Sequence, residues 1–98
     1  MNKNVVISSR AELEITEAIE WYEKIEKSLG LSFLDNLDQA ISAVIKNPEM
    51  YPVIFKNVRR ILIKKFPYSI FYHLTKNEIV VLAVFHEKRN PTNWNKAN

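Results

Sequence analysis

The hydrophobic pattern of this chain changes its period once, and the change falls at a pair of prolines. Up to Asn47 apolar residues recur every three or four positions; beyond Pro52 they alternate or run on unbroken. The first period lays an apolar stripe along a helix, and the second gives a strand an apolar face. The loop Asn47-Pro48-Glu49-Met50-Tyr51-Pro52 therefore divides a helical half from a strand-forming half. Ninety-eight residues suit one domain, so residues 1–98 are expected to form a single α+β unit.

The helical half predicts two elements. Ala11, Ile15, Ala18, Tyr22, Ile25 and Leu29 step by four and three, which predicts a helix over about residues 10–29. Ser9-Arg10-Ala11-Glu12 has the form of a capping box, with Ser9 at the N-cap and Glu12 at N3. Gly30, the only glycine, is expected just past the helix end, in the left-handed region. Leu34, Leu37, Ile41 and Val44, widened by Phe33, Ala40 and Ile45, predict a second helix that stops before Pro48. A link this short makes the pair an antiparallel hairpin.

In the other half, Arg59–Lys65, Tyr68–Leu74 and Ile79–His86 are dense in β-branched and aromatic residues, as strands are. Phe66-Pro67 and Thr75-Lys76-Asn77-Glu78 are turns too short for anything but antiparallel neighbours. Val5–Ile7 supplies a further short strand at the start. The expected fold is an N-terminal strand and a helical hairpin packed on an antiparallel sheet of three to four strands. Ile79–Phe85 is apolar on both faces, so the face away from the hairpin calls for cover by a tail or another protein.

Charge divides with the pattern. Residues 1–50 hold five Lys and Arg against nine acids, and residues 51–98 hold nine against two. A basic half suggests an anionic partner, although charged residues flanking strands also keep edges soluble. The chain has no cysteine, no glycine-rich loop and no His-x-x-x-His spacing. A disulfide framework, a phosphate-cradling loop and a metal site thereby lack their residues, and no cofactor is expected. No stretch approaches the roughly 20 apolar residues of a membrane span, and the expected location is the cytoplasm.

The residues that can carry function are Arg59, Arg60, Lys64, Lys65, His86, Arg89 and Trp94. Guanidinium and ammonium groups can grip phosphates or carboxylates. A histidine, whose unperturbed pKa is about 6.5, can serve as a base. Strand alternation puts Arg60 and Lys64 on one face and Arg59 and Lys65 on the other. His86 at a strand end can also play a structural part, and Lys64 and Lys65 can serve as solubilising residues that flank a strand.

The ordered set Trp21-Tyr22-Glu23, Gly30, Asn47-Pro48, Tyr51-Pro52, Arg59-Arg60, Lys65-Phe66-Pro67-Tyr68, Ile79–His86 and Arg89-x-Pro91 resembles the RelE/ParE superfamily of toxins. That resemblance implies a toxin of a type II toxin–antitoxin pair. Its partner would be an antitoxin whose acidic tail folds over sheet and hairpin, giving a hetero-oligomer. It also implies one of two targets. RelE-like members cut messenger RNA on the ribosome without metal, for which Arg60, Lys64 and His86 would be the catalytic set. ParE-like members poison DNA gyrase and need no catalytic residues. Ser69 stands where the ribonuclease branch places an arginine, and Glu87-Lys88 where some members carry His-Tyr. The ending His86-Glu87-Lys88-Arg89-Asn90-Pro91 resembles the ParE side more closely, which leaves enzymatic activity an open question at this point.

Overall fold

A computed structural model of the chain describes residues 3–88. The chain runs β1 (Asn4–Ile7), α1 (Ser9–Ile25), α2 (Lys27–Lys46), β2 (Val53–Phe55), β3 (Val58–Leu62), β4 (Tyr68–Leu74) and β5 (Glu78–His86). The five strands form one sheet in the order β1-β5-β4-β3-β2. Strands β3 to β5 make the expected antiparallel meander; β2 extends it at one edge and β1 joins at the other, parallel to β5, so the sheet has five strands where three to four were expected. Strand β2 is a short edge, closed onto β3 through a tight turn in which Lys56 takes a positive φ of 50°.

Both helices form, but their junction differs from the sequence expectation. The first helix ends at Ile25, and Glu26 alone, in an extended conformation, links it to the second. Gly30 does not end a helix; it lies inside α2, buried, with no left-handed torsion. A one-residue link forces the last turn of α1 against the first turns of α2. A Cβ at Gly30 would stand 2.4 Å from Cγ of Glu23, so a side chain there would have to push the exposed Glu23 side chain aside. The cap is also shifted by one residue: Ser8, not Ser9, is the N-cap, and its Oγ accepts from the Ala11 amide at 3.0 Å.

The hairpin covers one sheet face. Phe33, Leu37, Ala40 and Val44 of α2 and Ala11 and Ala18 of α1 pack with Ile61, Ile70, Tyr72, Ile79, Val81 and Val84. At the hairpin tip the rings of Tyr22, Phe33, Phe66 and Tyr68 interlock, with centroids 4.8 to 6.1 Å apart. Such aromatic pairs each add about 0.5–1.5 kcal/mol beyond the area they bury.

Strand β5 contains a bulge. Phe71 pairs with Ala83 and the next residue, Tyr72, with Val81, so Leu82 is an extra residue. Before the bulge Ile79 and Val81 face the helices; after it Val84 does. Ala83 and Phe85 turn to the outer face, where they meet Val58 and Phe71 in a second small cluster, and the guanidinium of Arg10 lies 4.7 Å over the Phe85 ring. A continuous apolar run thus serves two layers.

Candidate functional site: a groove beside an open sheet edge

A groove of about 580 Å³ lies between α2 and β3. Asn36, Gln39, Ala40 and Ala43 form its helical wall, Tyr51 and Pro52 close one end, and Arg60, Ile61, Leu62 and Lys64 line the sheet side. The two alanines, three residues apart on one helix face, keep that wall low. Leu62 stands 55% exposed at the lip.

Among the described residues, the sheet edge beside the groove is open. Pairing between β2 and β3 ends at Val53 and Arg59, and the Arg60 amide makes a last bond to the Pro52 carbonyl, 3.1 Å. The Ile63 amide bonds back to Tyr68 of β4. By alternation Leu62 directs its amide and carbonyl away from β4, where no strand among the described residues meets them. An extended peptide is the ordinary occupant of such an edge, held by its backbone and chosen by its alternate side chains.

The proline loop is fixed against this region. The Tyr72 hydroxyl donates to the Pro48 carbonyl at 2.8 Å. Arg59 donates to the carbonyls of Glu49 and Tyr51 at 2.9 and 2.7 Å. Burial of the phenol pushes the pKa of Tyr72 up to about 12, with Arg59 acting against the rise and Tyr51 adding to it.

The residues singled out from sequence therefore separate. Arg59 clamps the loop. Arg60 and Lys64 line the groove, where an acidic occupant would meet them. Strand β3 stops at Leu62, earlier than expected, because the chain turns; Lys64 and Lys65 lie in that turn and Lys65 has a φ of 70°. Lys65 is exposed and does not line the groove. His86 is on the hairpin side, paired across the sheet with Tyr68, in a separate cavity of about 210 Å³ with Glu14, Glu17 and Trp21. Its Nδ1 accepts from the Lys88 amide at 3.0 Å. Ser69 is buried and its hydroxyl donates to the Glu87 carboxylate. Arg89 and Trp94 lie outside the described residues. No group of three or more His, Cys, Asp or Glu among the described residues is arranged to hold a metal.

Sequence reading missed the open edge and the two alanines facing it. Their signal is weak: a short Val-Ile-Phe run after Pro52 hints at β2, but only folding brings α2 beside β3.

A family model described as "ParE toxin of type II toxin-antitoxin system, parDE" matches residues 5–91. No curated relative matches. Among solved structures, a chain of the "Chromosomal ParDE TA system from P. aeruginosa" has the same fold, with a TM-score of 0.76 at 12% identity, covering 86% of this chain and 95% of that one.

Proposed function

The chain belongs to the ParE toxin family of type II toxin–antitoxin systems, and from that premise we propose that, released from its antitoxin in the cytoplasm, it halts growth by binding and poisoning DNA gyrase. The observation that carries a non-catalytic reading is the separation of the would-be ribonuclease residues. Arg60 and Lys64 line one cavity and His86 another. Phosphodiester cleavage needs a base and cationic groups within hydrogen-bond reach of the same reacting atoms. At Ser69 a hydroxyl bound to Glu87 stands where that chemistry would want a cation.

The groove beside β3 is the place for the antitoxin. Its apolar walls and the cations Arg60 and Lys64 suit an extended segment that alternates apolar and acidic residues and adds a strand at Leu62. The result is a hetero-oligomer.

The test is induction of the chain in a bacterial host, with purified gyrase acting on plasmid in parallel. The expected outcome is accumulated double-strand breaks with gyrase trapped on DNA, and linear plasmid in the purified reaction. Normal supercoiling with cut transcripts would overturn the reading in favour of a ribosome-dependent ribonuclease acting on messenger RNA.

A further inference from the structure

The groove contains one polar atom that its surroundings do not explain. Asn36 is 6% exposed, in the middle of α2, yet it lines a wall otherwise made low by alanines. Its Nδ2 donates to the Ser32 carbonyl one turn back, at 2.8 Å. Its Oδ1 accepts no hydrogen bond among the described residues. The neighbouring Gln39 turns its amide to Asp35 instead, at 2.9 Å. Buried side-chain oxygens nearly always find a donor. In an open groove, water can supply one. An occupant that fills the groove removes that water and must replace it.

We propose that Asn36 is a specificity-determining residue of the groove: the segment that docks there must carry a hydroxyl or carboxamide side chain at the one position of its apolar row that lies over Asn36. This rests on the reading of the groove as the antitoxin's seat and adds a chemical requirement to it. A strand added at β3 sends alternate side chains up toward the helix layer, where α2 and Asn36 lie. An apolar side chain at that point would bury the Oδ1 without a partner. A serine, threonine, asparagine or glutamine would satisfy it. The asymmetry is large, because a polar site rejects an apolar competitor far more strongly than an apolar site rejects a polar one. One unsatisfied buried acceptor weakens binding about 10- to 100-fold.

The experiment pans displayed 12-residue random peptides on the full chain, on Asn36→Leu, on Asn36→Asp and on Ala43→Arg, whose long side chain fills the groove. Thermal melts confirm that each variant folds. Peptides enriched on the native chain are expected to alternate acidic and apolar residues, with Ser, Thr, Asn or Gln at one fixed place in the apolar row. Changing that residue to Val in a synthetic peptide should weaken binding 10- to 100-fold on the native chain. On Asn36→Leu the preference should vanish or reverse, and on Asn36→Asp, which keeps an acceptor, it should remain. Equal binding of the polar and Val peptides to the native chain overturns the proposal, as does an unchanged preference on Asn36→Leu. If Ala43→Arg captures the same peptides, or nothing is enriched at all, the reading of the groove itself fails and the role of Asn36 falls with it.

Discussion

The sheet runs short of partners at two places, and the chain treats them in opposite ways. Strand β1 pairs with β5 only as far as Val81. Beyond that point the start of α1 takes over: the Ser8 amide bonds the Val81 carbonyl, the Ser8 hydroxyl bonds the Leu82 carbonyl, and Glu14 accepts from the Val84 amide at 2.8 Å. The edge of β5 is sewn to the start of α1. Strand β2 likewise covers β3 only as far as Arg59 and Arg60, but there nothing among the described residues replaces it. An unpaired edge invites aggregation, and proteins that need no partner at such an edge close it. One edge is closed with three side-chain or backbone bonds, and the other lies beside the groove proposed above as the antitoxin's seat.

The contrast can be broken from the closed side. Glu14→Ala leaves the Val84 amide without its acceptor and takes a carboxylate partner from Arg10, 3.2 Å away. It should cost about 1–3 kcal/mol, read as a lowered urea midpoint. Amide exchange at Val84 should quicken while that at Ile63, bonded within the β3–β4 pair, holds; equal quickening at both would mean that the two regions are not independent.

A smaller effect tests the clamp that holds the proline loop by the open edge. In the unfolded chain Tyr72 loses its proton near its ordinary pKa of 10, whereas in the fold it keeps it to about 12. The unfolded state therefore binds fewer protons across this window, and stability falls as pH rises from 10 toward 12. Below pH 10 the contribution is complete. Tyr72→Phe should flatten this part of the stability–pH curve; an identical slope in both proteins would assign the loss to other groups.

The smallest effect on stability belongs to the open edge itself. Leu62→Ser should change the urea midpoint by no more than about 0.5 kcal/mol, as exposed positions do. The same substitution should weaken capture of an acidic-apolar strand about tenfold, since it removes an apolar contact at the lip. A large loss of stability would show that Leu62 belongs to the core, and the contrast between the edges would collapse.

Much of this architecture was legible in residue order. The stripes of α1 and α2 and the runs of β4 and β5 are long enough for their periods to speak, and the short turns dictate antiparallel pairing. Three kinds of feature escaped. Gly30 carries the usual mark of a helix end, and only the fold shows that it lies inside one. Strand β2 is three residues long, with two of them exposed, so it has no pattern to read. The bulge at Leu82 exists only relative to a neighbouring strand. The sequence offered a basic half but not the place in the fold where its cations would gather. Arg59 and Arg60 are adjacent in sequence and end in different roles because alternation sends one to the loop and the other to the groove. Asn36 gave no signal, since a polar residue in an amphipathic helix normally faces water.

The one-residue link between the helices makes two distant-looking positions answer for each other. Glu26 leaves α1 and α2 no slack, and Gly30 meets Glu23 because of it. A side chain at Gly30 should therefore displace Glu23 in this chain and leave it in place in a version whose link is longer by a few residues. The room that Gly30 leaves for Glu23 is thus set by the length of the connection between the helices.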